Sequence, residues 1–286
     1  MTDFSNSYTA FIPEIWSKKL NSLLFTYCPM LQCVNKNWEG EITQAGDKVH
    51  ILTPPAVTVS TLSGDAISYS EVAPTSTTLT IDQKKFFAFK VNDIAKAQAN
   101  TNFIESYMES AKKSIEVAQD SYLLGLHTEV DSDNIIGSAD SPVSLTTSNI
   151  YAKFVDLAAL LKKANATSSK QAPWVIINPD IEAVLLKTSQ FTSASNLGAE
   201  TLRTGAIGKI AGMDVLVSNN LVAASGAINI LAGTNDAITF ASKVVTLETI
   251  RDKDSFSDIV RGLYVYGASV VNDTAIAKLI CSSTFS

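Results

Sequence analysis

The chain reads as an α+β protein in which one long helix is carried by strands that come before and after it. Three observations predict this. Thr101–Leu126 contains no proline and a single glycine, Gly125, in its last turn. Ile104, Tyr107, Met108, Ala111, Ile115, Ala118 and Tyr122 recur there at spacings of three and four, which places them on one helical face. Alternating apolar positions in Lys48–Val59 and Thr77–Val91 predict two long strands. Val244–Arg251, Ile259–Val271 and Ile276–Cys281 then read as three more, expected to join Phe86–Val91 in one sheet under the helix.

The first 45 residues form an arm without a core of its own. Phe4, Tyr8, Phe11, Ile12, Ile15, Trp16 and Leu20 are scattered through it, and Pro13-Glu14 is a helix start. Such an arm lies either on a neighbouring copy, with Phe11 and Trp16 as anchors, or as a strap across its own domain. The two strands that follow make a ribbon over residues 46–85, with Gly64-Asp65 as its tip. A two-stranded ribbon is marginal alone in water, so a long one needs a partner. Between Val49 and Asp82 there is no Lys or Arg, while Asp65, Glu71 and Asp82 are acidic. That composition suits a basic or neutral surface on an adjacent subunit.

In the long helix, Thr101 or Asn102 can cap the first free N–H groups, and Glu105 sits where the helix dipole favours it. Glu109 with Lys113 and Lys112 with Glu116 are pairs four apart on the outer side. The rod would be roughly 36–38 Å long. Beyond it, Thr147-Ser148 caps a second helix, Trp174–Ile177 is a fully apolar strand, and Asn178-Pro179-Asp180 starts a third helix. The polar, Ser/Thr-rich residues 189–204 read as a loop, and Gly205, Gly208 and Gly212 punctuate a hairpin. Residues 145–240 therefore read as a small α/β domain inserted between helix and sheet. In the late strands, Gly267 interrupts an apolar run where a bulge or a close backbone approach is expected. Arg251, Asp252, Lys253, Asp254 and Asp258 put five charges in eight residues at a turn, a candidate junction between assembled units.

Composition narrows the function classes. Charged residues are 17% of the chain and hydrophobic ones 46%, a charge content low enough to point to surface buried against partners. The net charge of −6 argues against a dedicated nucleic-acid binder. No run of about 20 apolar residues is present, so no membrane-spanning helix is expected. The N-terminus lacks a secretory pattern, and Cys28, Cys33 and Cys281 lack ligand spacing, so free thiols in a reducing cytoplasm are expected. His50 is placed in a strand, and His127 at a helix end where positive charge is favourable. Gly205-Ala-Ile-Gly208-Lys209 fails as a phosphate loop, because Arg203 and Ile210 stand where glycine and Ser or Thr are required. With no nucleophile, metal or cofactor signature, the chain is expected not to be an enzyme.

The order of these segments resembles a known family. The aromatic arm, the ribbon, Phe86–Val91 with Asn92-Asp93, the long helix, the segment Gly205–Val215 and the closing Gly262–Ala268 strand come in the sequence seen in major capsid proteins of tailed double-stranded-DNA bacteriophages, the Hong Kong 97-type capsid fold. The resemblance implies an N-terminal arm (1–45), an extended loop (46–85), a peripheral domain in two parts (86–144 and 241–286) with the long helix as its spine, and an axial domain (145–240). It implies pentamers and hexamers that close a shell around double-stranded DNA in the virion, assembled in the host cytoplasm. Implied partners are a portal and scaffolding and decoration proteins. The lysine that cross-links some members has no counterpart between Val49 and Asp82, so assembly is expected to be non-covalent. No long coiled-coil precursor precedes the arm, so a separate scaffolding protein, or none, is expected. The alternatives are an encapsulin-type compartment holding protein cargo, and a monomeric enzyme or binding protein with a β arm.

Overall fold

A computed structural model of the chain describes residues 28–38, 47–53, 59, 74–93, 103–166, 172–188, 208–224 and 226–282. Phe11 and Trp16 of the arm, the loop residues Gly64, Asp65 and Glu71, and residues 189–204 lie outside them.

The ribbon begins as expected. β1 (Lys48–Thr53) pairs antiparallel with β2 (Thr75–Thr80), in register from Lys48↔Thr80 to Thr53↔Thr75. Val49 and Ile51 point inward and are buried, whereas His50 and Leu52 are exposed, the period of two that a one-sided strand requires. The run at 77–91, expected as one strand, is two. The chain leaves the ribbon at Ile81-Asp82 and re-forms as β3 (Gln83–Asn92), which belongs to a different sheet. Ile81 explains the break, because its side chain is buried with Val49, Ile51, Leu79, Ala241 and Val265 in a small separate core.

The long helix α1 (Phe103–Gly125) has 23 residues and so spans about 35 Å. It continues as a 3-10 turn, Leu126–Glu129. Its burial is uneven. Gln119, Asp120, Leu123 and Leu124 are fully covered, while Met108, Ala111, Ile115 and Ala118 are only half-buried. Tyr107 leans on Phe89 with ring centroids 5.5 Å apart but stays half exposed. The periodicity marked the correct face, yet the sheet covers that face fully only toward its C-terminal end. Glu116 takes both outer lysines, Lys113 at 3.2 Å and Lys112 at 3.9 Å.

After β4 (Ile135–Ile136), α2 (Ile150–Lys163) buries Ile150, Phe154, Leu157 and Leu161. Its start differs from expectation: Asn149, not Thr147-Ser148, flanks the first turn, and Asn149 Oδ1 accepts from the Thr146 N–H at 2.8 Å. β5 (Trp174–Ile177) is buried throughout. Asn178 caps α3 (Pro179–Leu186) by accepting from Ile181 N–H at 2.8 Å, with Pro179 in the first turn. β6 (Lys209–Ile210) and β7 (Met213–Val217) form the glycine-marked hairpin; Ala211 and Gly212 both take positive φ, 51° and 86°, as a tight two-residue turn demands. β8 (Ala223–Ala224) and β9 (Ala227–Gly233) follow.

The last three strands divide between two sheets. β10 (Ile238–Arg251) and β11 (Ser257–Val270) pair antiparallel, with an irregularity between Val244 and Thr246, and β11 pairs β3, giving the order β10-β11-β3. β12 (Ile276–Ser282) does not join them, contrary to expectation. It enters the larger sheet, ordered β4-β12-β9-β5-β7-β6 with β8 on β9. The reason is visible in burial: every residue of 276–281 is buried, which fits a strand covered on both faces. The smaller sheet leaves Phe86 79% and Leu247 56% exposed.

The main core runs from α2 and the larger sheet through Leu123, Leu124, Phe240 and Tyr266. Tyr266 meets Tyr122 edge-on at 5.4 Å, tying α1 to β11. His127 corrects another expectation. It is half-buried, Lys278 Nζ donates to its carbonyl at 2.9 Å, and burial followed by the Lys278 charge pushes its imidazole pKa down. Positive charge is disfavoured there.

Gly267 marks the close approach anticipated for it. A Cβ at this position would lie 2.1 Å from the Thr80 carbonyl oxygen and 2.9 Å from Ile81 Cα. Gly267→Ala is therefore expected to push the ribbon root off β11 and to destabilise the subunit by about 1–3 kcal/mol, read as a fall in thermal midpoint.

Candidate assembly surfaces

Two clusters of polar side chains and one apolar groove stand out among the described residues. The first cluster lies at the far end of the three-stranded sheet. Arg251 Nη1 donates to Asp93 Oδ1 at 2.9 Å and to Asp258 Oδ1 at 3.1 Å, and Arg251 Nη2 also reaches Asp93. Lys90 pairs with Asp252, whose Oδ2 accepts from Ser255 Oγ at 2.6 Å as well. Arg251 and Asp258 are register partners across β10 and β11, as are Glu248 and Arg261, which bond at 2.6 Å. Opposite charges facing each other across strands are the favourable arrangement for such a pair. The Lys90 hydrogen bond, then those from Ser255 and the Asp254 N–H, hold the Asp252 carboxyl well below the usual carboxylate range. The hydrogen bonds that Arg251 donates to Asp93 and Asp258 push its own pKa higher still.

Of the five charged residues singled out at this turn, three are thus engaged within the chain. Arg251, Asp252 and Asp258 stiffen the strand ends, while Lys253 and Asp254 are exposed at the tip. Beside them Phe256 is 78% exposed, an apolar ring on a braced support.

The second cluster was not anticipated. Asp120, on the covered side of α1, is fully buried. Its Oδ1 accepts from the Met30 N–H at 3.0 Å, and its Oδ2 from Asn220 Nδ2 at 2.8 Å and Ser218 Oγ at 3.4 Å. One carboxylate thereby joins the incoming chain at 30, the long helix and the loop after β7. Burial raises its pKa, opposed by the hydrogen bonds from Asn220, Met30 and Ser218. Nothing local to Asp120 in the sequence marks it; only the arrival of Met30 and Asn220 reveals it as a tie.

The groove lies between α1 and the three-stranded sheet and has a volume of about 610 Å³. Met108 and Ile115 line it from the helix, Phe87, Val244 and Leu247 from the strands. His50 makes an ordinary exposed contact with Thr78 Oγ1 at 3.1 Å. Among the described residues no three His, Cys, Asp or Glu side chains converge as a metal site, and no helix is long and apolar enough to cross a membrane.

Comparison with known proteins adds a family. A model of the phage capsid protein family matches residues 75–279. No curated protein matches the chain. Among solved structures, a chain from Mycobacterium phage Che8 is 28% identical, with 98% of this chain and 100% of that chain covered and a TM-score of 0.75. The capsid of cyanophage P-SCSP1u is 13% identical over 96% and 94% of the two chains, with a TM-score of 0.73. The capsid of Ralstonia phage GP4 is 11% identical over 99% of each, with a TM-score of 0.71.

Two outcomes are expected from these contacts. Asp120→Ala leaves the buried Met30 N–H without its acceptor and takes one acceptor from the part-buried Asn220 Nδ2, and denaturant unfolding should show a loss of roughly 1–3 kcal/mol. Asp252 has a depressed pKa in the folded state, so its stabilisation is present above its ordinary value of 3.8 and is lost as pH falls below it. Asp252→Asn should therefore unfold at lower temperature than the unsubstituted chain at neutral pH, the difference shrinking as the pH is taken below 3.8.

Proposed function

The chain belongs to the phage capsid protein family, and we propose that it acts as an interlocking tile whose arm and ribbon reach past its own edge. It is a structural major capsid protein, and copies of it form an icosahedral shell. The observation that carries the finer reading is the likeness of fold from one end of the chain to the other, with a ribbon rooted firmly on the sheet at residues 79–81 and leading outward.

In this reading copies gather into pentamers and hexamers, reusing the same surfaces by symmetry. Residues 86–144 and 241–286 supply the peripheral part apart from β4 and β12, which pair into the larger sheet of the axial part (145–240), while 1–45 are the arm and 46–85 the extended loop. Each contact can be weak because arm and loop engage at several points together. Phe11, Trp16, Gly64, Asp65 and Glu71 are proposed as reaching contacts, and the braced turn with Lys253 and Asp254 as the junction between capsomers, set by Arg251, Asp252 and Asp258 behind it. Locking is non-covalent, since the loop carries no lysine between Val49 and Asp82. The shell encloses double-stranded DNA in the virion, held by enclosure, in keeping with a net charge of −6. A portal, scaffolding and decoration proteins are the proposed partners, assembly takes place in the host cytoplasm, and the tile performs no catalysis.

The expressed full-length chain should appear by electron microscopy as closed shells, and shells lacking residues 61–70 should fall apart into soluble subunits. A stable species of 30.6 kDa would sink the tile reading. Durable shells from the deletion variant would remove the loop from it, and shells that enclose protein cargo instead of nucleic acid would reassign the contents.

A further inference from the structure

Phe256 stands 78% exposed at the end of the β10–β11 hairpin, on a turn that is held too firmly to hide it. Arg251 is bound to Asp93 and Asp258, and Asp252 to Lys90 and Ser255. A rigid aromatic ring is an effective anchor for a protein contact, because little freedom is lost when it is buried. Lys253 and Asp254 precede it, both exposed and without an ion pair among the described residues.

The groove beside α1 has the matching character. Phe87, Met108, Ile115, Val244 and Leu247 give it apolar walls around about 610 Å³. Lys36, Glu109, Lys112 and Glu116 also line it, two charges of each sign. Glu116 is neutralised by Lys113 at 3.2 Å, with Lys112 farther off at 3.9 Å. Lys36 and Glu109 are exposed and have no ion pair among the described residues. The groove therefore offers an apolar interior with one open cation and one open anion at its lip. The turn offers a ring, an open cation and an open anion.

The turn cannot enter the groove of its own chain. Leu247 lines the groove, and the strand runs on for about 13 Å to Arg251 before the turn begins. The ion pairs to β3 hold the strand end there. The occupant has to be a second copy.

We propose that the turn 252–256 of one copy docks in the α1 groove of another, with Phe256 between helix and sheet, Lys253 facing Glu109 and Asp254 facing Lys36. A benzyl group fills only part of the groove, and the turn's backbone takes up the rest. The contact joins two different surfaces, so it links copies head to flank and needs a ring to close. It rests on the tile reading and gives the junction between capsomers a receiving surface.

Photocrosslinking of the full-length chain tests it. A benzophenone amino acid replacing Phe256 should give adducts at dimer mass or above, joined to residues 108–116 or 244–247. The same probe replacing Lys112, on the groove's lip, should attach to residues 252–256 of another copy. With the probe at 256, Lys253→Glu should lower the adduct yield about threefold, and adding Glu109→Lys should restore it. Closed shells by electron microscopy with adducts elsewhere, within one chain or absent would overturn the docking and leave the shell standing. So would a yield that Glu109→Lys fails to restore. Groove adducts between copies in small or open oligomers would keep the docking and remove the shell. A stable 30.6 kDa species without adducts would end both.

Discussion

The architecture depends on one steric contact, the backbone of Thr80 and Ile81 lying across the bare Cα of Gly267. A two-stranded ribbon has too little core to hold its own direction. Here it gains that direction at its root, where Leu79 and Ile81 are buried against Val265 and Ala241. The approach is possible only because β11 has no side chain at that point. It also explains why the strand breaks at Ile81-Asp82: the chain must turn from ribbon to sheet while keeping Ile81 inside.

Asp120 plays a complementary part. Taking a carboxylate out of water is unfavourable unless several donors surround it. Met30 provides one, and Ser218 and Asn220 of the loop after β7 provide the others, so the donors come from two distant parts of the chain. The buried carboxyl group thus joins the chain at 30, α1 and the loop after β7 into one arrangement, since displacing either partner segment leaves it underbonded. The charged strand end works differently. Its ion pairs lie near solvent and set the orientation of a turn, while the adjoining apolar Phe256 remains free of packing.

Much of this was legible in the sequence where the pattern is local. The long helix, the ribbon, the Asn178 cap, the Ala211-Gly212 turn and the special role of Gly267 all follow from spacing or residue type. What sequence pattern missed depends on distant chain. Nothing within 276–281 says which sheet it joins, although its unbroken apolarity was a usable hint of burial on two faces. Periodicity found the inner face of α1 but could not show that the sheet leaves half of it uncovered. For the candidate contacts, charge spacing located the turn at 251–258, yet the partners Asp93 and Lys90 lie about 160 residues earlier and engage Arg251 and Asp252 within the chain.

The placement of β12 has a consequence for biosynthesis. It sits between β4 and β9, with Lys278 opposite Ile135 on one side and Leu231 on the other. Until residue 282 has left the ribosome, the larger sheet has an open slot lined by main-chain groups and apolar side chains. Sheets that wait on distant strands form slowly. A product that stops before residue 276 would leave the edges of β4 and β9 that β12 covers without a partner. The order of the strands thus makes closure of the larger sheet wait on residues 276–282.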